Sequence, residues 1–167
     1  MNHDIFEQFK AIRAYKENDK FSVHKPILLL YALSQCNVHN ERLLSFHTID
    51  KAFAKCFERF NFEGVAKNSH YPFGKLENDE IWEVENSKRL KRTSAGHLHK
   101  KQLIDENICG GFTQPVYAEL AYDGELIKKI TNHILTTYID RKIHDDILLF
   151  FNLPNKNQGQ NYGTNWK

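Results

Sequence analysis

Cysteine is scarce in this chain of 167 residues, and the three present, Cys36, Cys56 and Cys109, are widely spaced and odd in number. They make no CxxC metal pair and no disulfide framework, so Cys36 and Cys56 read as core residues on helices. Long apolar runs are also missing. The longest, Pro26 to Leu33, is far short of a membrane span. The start Met1-Asn2-His3-Asp4 lacks the basic and apolar regions of a signal peptide, so a cytoplasmic location is the default expectation. Net charge is small, at +2, too little to require a nucleic-acid partner by itself. No internal repeat is present, and no His-Asn-His motif of a metal-dependent nuclease follows the helical segments.

What the chain does have is apolar content of 41% and aromatic content of 13%, enough for one real core. Ile5, Phe6, Phe9, Ile12 and Tyr15 recur at helical spacing, which predicts a helix over 3–17 ended by the polar break 18–20. The next segment, Ile27 to Leu33, is apolar nearly all round and reads as the central buried helix. Pro26 sets its start, leaving His24 and Lys25 at the helix mouth. A short strand is expected over 42–46, then a helix capped by Thr48, carrying Ile49, Phe53, Cys56 and Phe57 and ending near Gly64.

Tyr71-Pro72-Phe73-Gly74-Lys75-Leu76 followed by Ile81-Trp82-Glu83-Val84 reads as a hairpin turning at Asn78-Asp79, with a rigid apolar lip. Helix, strand, helix, hairpin is the order of a winged-helix unit. Further helices are expected over 98–107, 114–121, 125–138 and 141–151, with Gly110-Gly111, Pro115 and Asp123-Gly124 as punctuation. The fold class is therefore mainly α with a small antiparallel β-sheet, a winged-helix-like helical domain. The segment 154–167 is polar and has almost nothing to bury, so it reads as a tail or linker.

Charge is unevenly placed. Lys88, Arg89, Lys91, Arg92, Lys100 and Lys101 fall in a stretch, 86–101, that has no acid, and Lys67 and Lys75 flank the apolar lip. An apolar cup thus opens into a field that attracts anions. The plain alternatives are a solvated loop beside a charged turn, and a strand entry at Tyr71-Pro72-Phe73 packed on the core. Phe73 and Trp82 read as core in either case. The nine histidines suggest metal, yet His97 and His99 have no Cys or carboxylate partner at ligand spacing, so neither metal nor cofactor is expected.

His24-Lys25-Pro26 before the Leu-rich helix, the Tyr71-Pro72-Phe73 to Trp82-Glu83-Val84 segment, Gly110-Gly111-Phe112 and the ending Ile143-His144-Asp145-Asp146-Ile147-Leu148 together resemble one family. It is the sulfur-binding domain of HNH restriction endonucleases that depend on phosphorothioated DNA, that is, of type IV restriction. The resemblance covers most of the chain, from about the second expected helix to Leu153. It implies a DNA-binding domain over 1–153, a linker toward a nuclease domain absent from this chain, and no catalytic residue here, with His144-Asp145-Asp146 in a structural helix.

The resemblance also implies a sulfur pocket built from His24, Lys25, Tyr71, Pro72 and Lys75, the last contributing only its stem. The partner is phosphorothioate-modified double-stranded DNA, with a fused HNH nuclease domain in the full-length protein and homodimerisation left open. Lys67, Arg89, Lys91 and Arg92 are the expected phosphate contacts. Asn68, Ser69, His70 and Glu63 are the expected readers of base edges. Two readings of another kind stay open at this point: a winged-helix protein reading unmodified DNA, and a protein-interaction module whose Leu-rich surfaces serve a partner helix.

Overall fold

The computed structural model describes residues 4–17, 20–38, 41–62 and 67–154. The chain begins with α1 (Asp4–Lys10), a short antiparallel pair β1 (Lys16–Glu17) and β2 (Lys20–Phe21), and α2 (His24–Val38). Strand β3 (Leu43–Ser45), α3 (Phe46–Phe60), α4 (His70–Lys75) and β4 (Trp82–Val84) come next. They are followed by α5 (Lys100–Asp105), β5 (Cys109–Phe112), α6 (Gln114–Ala121), α7 (Gly124–Tyr138) and α8 (His144–Phe151). Single 3-10 turns occupy Leu76–Asp79, Ser87–Arg89 and Arg141–Ile143. A mainly helical fold with a small antiparallel sheet is what the sequence reading expects.

Helix α2 is the hub because its apolar residues run around the whole circumference. Ile27, Leu28, Leu29, Leu30 and Leu33 are essentially inaccessible, and the helix touches α3, α4, α6, α7 and α8. Cys36 and Cys56 are both buried, and burial pushes each thiol up to about 12, which keeps them protonated and inert. No helix among the described residues is long and apolar enough to cross a membrane.

The first helix is shorter than the apolar period predicts. It ends at Lys10, and the chain turns through Ile12 so that Ile5, Phe9 and Ile12 are buried while Tyr15 is exposed. Helix α3 keeps its amphipathic face, but its cap is Ser45, whose hydroxyl accepts from the Thr48 N–H at 3.1 Å. It ends at Phe60, with Asn61 in the left-handed region at φ 49°, before the expected Gly64.

The largest correction concerns the hairpin. Residues 70–75 form α4, and the chain runs on through the Leu76–Asp79 turn before β4, so Phe73 and Leu76 are one helical turn apart and both are fully buried. Pro72 is the third residue of α4, in the first turn, where no intrahelical acceptor awaits its missing N–H. Strand β4 pairs instead with β5, Trp82 opposite Phe112.

Gly110 and Gly111, read from the sequence as a break between helices, lie in the central strand of the order β3-β5-β4. A Cβ on Gly111 would stand 1.9 Å from the Arg42 carbonyl oxygen, so only glycine lets β3 come this close. The Arg42 guanidinium closes the sheet from outside by donating to the Glu83 carboxylate and to the Phe112 carbonyl. The expected linker lies outside the described residues from 155 onward.

Candidate nucleic-acid interface

The N-terminus of α2 and the exposed side of α4 face a common cleft of about 810 Å³. His24 and Lys25 line it from α2, and Tyr71, Pro72 and Lys75 line it from α4, so all five expected pocket residues come together. Arg13, Asn68 and His97 complete its rim. Among the described residues no group of three metal-ligating side chains is assembled.

His24 is held by its own turn and by α3. Its Nδ1 is 2.7 Å from the Ser22 hydroxyl, which also accepts from the His24 N–H at 3.2 Å. The ring lies against Phe53, with centroids 5.9 Å apart, and against Phe57 at 5.5 Å. An aromatic floor of this kind fixes the imidazole at the mouth of helix α2, where Pro26 has no N–H and the Ile27 N–H is bonded to the Val23 carbonyl at 2.9 Å.

Lys25 departs from the expectation of an uncommitted cation. Its ammonium donates to the Asp79 carboxylate at 2.6 Å and to the Arg13 carbonyl at 2.7 Å. Asp79 also accepts from the Arg13 N–H at 3.0 Å, and its side chain is only 1% exposed. The charge of Lys25 is thereby matched inside the wall. Arg13 takes over the exposed position: its guanidinium is anchored by a bond to the Asn78 carbonyl at 2.9 Å, and its side chain is 75% exposed.

On the α4 side Tyr71 is exposed and Pro72 is buried beneath the rim. The Tyr71 ring stacks on His97 at 3.7 Å with an interplanar angle of 11°, and meets His70 edge-on at 4.7 Å. Lys75 donates to the Ala95 carbonyl at 2.9 Å, so its stem borders the cleft while its head ties down the loop of 92–98.

The outer contacts divide. Among the described residues Lys67 and Lys91 are exposed and carry no ion pair. Arg89 pairs with Glu106 at 2.7 Å, and Arg92 with Glu77 at 3.2 Å and the Ser87 hydroxyl at 2.8 Å, so neither guanidinium is idle. Asn68 is half-buried at the cleft rim. Ser69 needs correction as a base reader: it is wholly buried and donates to Asp50 at 2.6 Å, which fastens α4 to α3. His70 is half-buried, and its pKa is lowered by burial and then by the Lys100 and His97 charges. Glu63 lies outside the described residues. His144 donates from Nε2 to the Ile139 carbonyl at 2.7 Å, a helix-entry role.

Arg13, Asp79 and His97 were missed in the sequence. Only His97 carried a signal, as part of a histidine pair weighed for metal. Arg13 and Asp79 meet across 66 residues, a separation at which local pattern is silent.

A family model for the ScoMcrA-like DNA sulfur-binding domain matches residues 2–156. Among solved structures, the sulfur-binding domain of ScoMcrA complexed with phosphorothioated DNA superposes with a TM-score of 0.79 at 23% identity, covering 89% of this chain and 94% of that one. The corresponding SprMcrA domain, also complexed with phosphorothioated DNA, gives 0.75 at 19% identity over 92% and 94%. The type IV phosphorothioation-dependent restriction endonuclease ScoMcrA gives 0.74 at 22% identity over 87% of this chain and 32% of that chain. No curated protein matches. The structures share the fold, the family model spans nearly all the described residues, and the chain belongs to the ScoMcrA-like DNA sulfur-binding domain family.

Proposed function

We propose that this chain binds double-stranded DNA carrying a backbone phosphorothioate and takes the sulfur into the cleft between α2 and α4. The observation that carries the reading is the meeting of His24, Lys25, Tyr71, Pro72 and the Lys75 stem on one cleft, from segments distant in sequence. Relatives of the same fold are bound to phosphorothioated DNA, which supports it.

Replacing a non-bridging phosphate oxygen by sulfur keeps the charge but makes one side of the group larger, more polarisable and less strongly hydrated. The site must accept both properties. Tyr71 and Pro72 supply a stiff surface with little side-chain entropy to lose, and burying roughly 40 Å² against them is worth about 1 kcal/mol. An ordinary phosphate oxygen gains less there and must shed water without a replacement hydrogen bond. The negative charge is met by Arg13 and by the positive end of the α2 dipole, with Lys25 fixing the wall through Asp79.

Flanking phosphates fall to Lys67 and Lys91, and to Arg89 and Arg92 on exchange of Glu106 and Glu77 for phosphate. Base edges fall to Asn68 and His70. In this reading the chain is the targeting module of a modification-dependent restriction endonuclease, with the HNH nuclease carried on the same polypeptide beyond residue 153. The mass of the native gene product checks that arrangement.

The binding claim is tested by affinities for modified and unmodified duplexes of identical sequence at fixed salt. Roughly tenfold or greater preference for the modified duplex is expected, about 1.4 kcal/mol. Pro72→Ala should reduce that preference more than total affinity. Equal binding of the two duplexes by the native chain would remove the sulfur claim.

A further inference from the structure

The loop of 92–98 is built to hold one ring in place. Arg92 and Leu98 bridge its base, the Thr93 N–H donates to the His97 carbonyl at 2.8 Å, and the His97 N–H donates to the Thr93 hydroxyl at 3.1 Å. Leu98 is buried, which roots the loop in the core. At the tip Gly96 adopts φ +88°, a left-handed conformation that suits glycine, and a Cβ there would stand 2.9 Å from the Lys75 ammonium. Lys75 closes the loop onto α4 through the Ala95 carbonyl, and Arg92 holds the Gly96 carbonyl at 3.3 Å.

The outcome is the near-parallel stack of His97 on Tyr71, both of which border the cleft. Tyr71 sits on the exposed side of a six-residue helix, where α4 itself offers its ring only the edge of His70 at 4.7 Å and no flat partner. A ring laid flat on it takes one face out of solvent and leaves the other side to the ligand. Burial, and after it the Lys75 charge, hold the His97 pKa below its usual value, so the ring stacks as a neutral group. Fixing a recognition side chain before binding removes an ordering cost from the complex.

We propose that His97 is a positioning residue for sulfur recognition, backing Tyr71 so that the phenol ring meets the thiophosphate in one fixed orientation. The inference rests on the function proposed above. A ring that merely fills the loop would affect folding and would leave discrimination between sulfur and oxygen untouched.

The test compares H97A and H97F with the native chain on matched modified and unmodified duplexes at fixed salt, after circular dichroism has verified the fold. In H97A the ratio of the two affinities should fall roughly threefold to tenfold, the value of an aromatic pair, with affinity for the unmodified duplex changed less than about twofold. H97F keeps a flat ring and should keep the ratio. H97Q, polar but without a ring, should behave as H97A and carries the test if H97A does not fold. A native preference for sulfur that persists in H97A or H97Q overturns the inference alone, as does an equal loss on both duplexes. A native chain indifferent to sulfur overturns the proposed function and the inference with it.

Discussion

The Lys25 ammonium lies 2.6 Å from the Asp79 carboxylate across 54 residues of chain, and the two side chains are only 15% and 1% exposed. This pair joins the mouth of α2 to the turn that follows α4, and so sets the distance between the cleft walls. Asp79→Asn should lower the unfolding free energy by about 2–4 kcal/mol, because it leaves a half-buried ammonium without its counter-charge. Thermal melts measure it. Adding Lys25→Met to that variant should recover part of the loss, since the charge left unmatched is then gone.

Gly111→Ala should fail to give a folded chain, or lose more than about 3 kcal/mol, because its methyl group would overlap the Arg42 carbonyl and drive β3 off β5. Circular dichroism and solubility decide this, and wild-type stability in the variant would refute the close approach.

Ser69→Ala should cost about 1–2 kcal/mol of stability through the lost bond to Asp50, and should leave base preference unchanged. Asn68→Ala should do the opposite, altering preference for the flanking bases by about 1–3 kcal/mol with little change in melting temperature. Binding to duplexes with varied flanks separates the two.

Lys67→Ala and Lys91→Ala should each flatten the dependence of log affinity on log salt by about one, on modified and unmodified DNA alike. Arg92→Ala should do more than this, since Arg92 also holds the Gly96 carbonyl under the His97 loop. A salt titration of each variant reads the slopes.

Acid should weaken the fold through three histidines. His70, His97 and His133 all have pKa values lowered by burial first, then by neighbouring positive charge, from an ordinary 6.5. The unfolded chain therefore binds more protons between the lowered values and 6.5. The stabilising effect is complete above about pH 6.5 and is lost as pH falls through the folded-state values. Melting temperatures from pH 8 to 5 should decline below about 6.5, less steeply in H97F, which has one such group fewer.

The helices legible in the sequence were those whose own period defines their buried face. The reading of 114–121 coincides with α6, and that of 125–138 starts one residue inside α7, because Val116 and Leu120, and Ile127, Ile130 and Ile134, need no distant partner to be recognised. Residues 70–79 were misread because an aromatic-proline entry followed by a turn suits a hairpin, and a short segment offers only the Phe73 to Leu76 spacing against that. Whether it is helix or strand depends on Phe112, which takes the pairing position opposite Trp82. The site was legible as a set of residues drawn from a family resemblance. Its electrostatics were not, because the counter-charge of Lys25 and the ring behind Tyr71 belong to other segments.

Strand β5 has a bearing on how the chain acquires its shape during synthesis. Both β3 and β4 hydrogen-bond to β5 and not to each other, so neither has a ladder partner in this sheet until Phe112 has left the ribosome. Until then the leucines of α2 also lack α6, α7 and α8 as cover. The emerging chain thus carries an incompletely covered apolar helix until those later segments are made, the condition under which nascent proteins engage chaperones. Completion of the molecule is a late, concerted closure around two adjacent glycines.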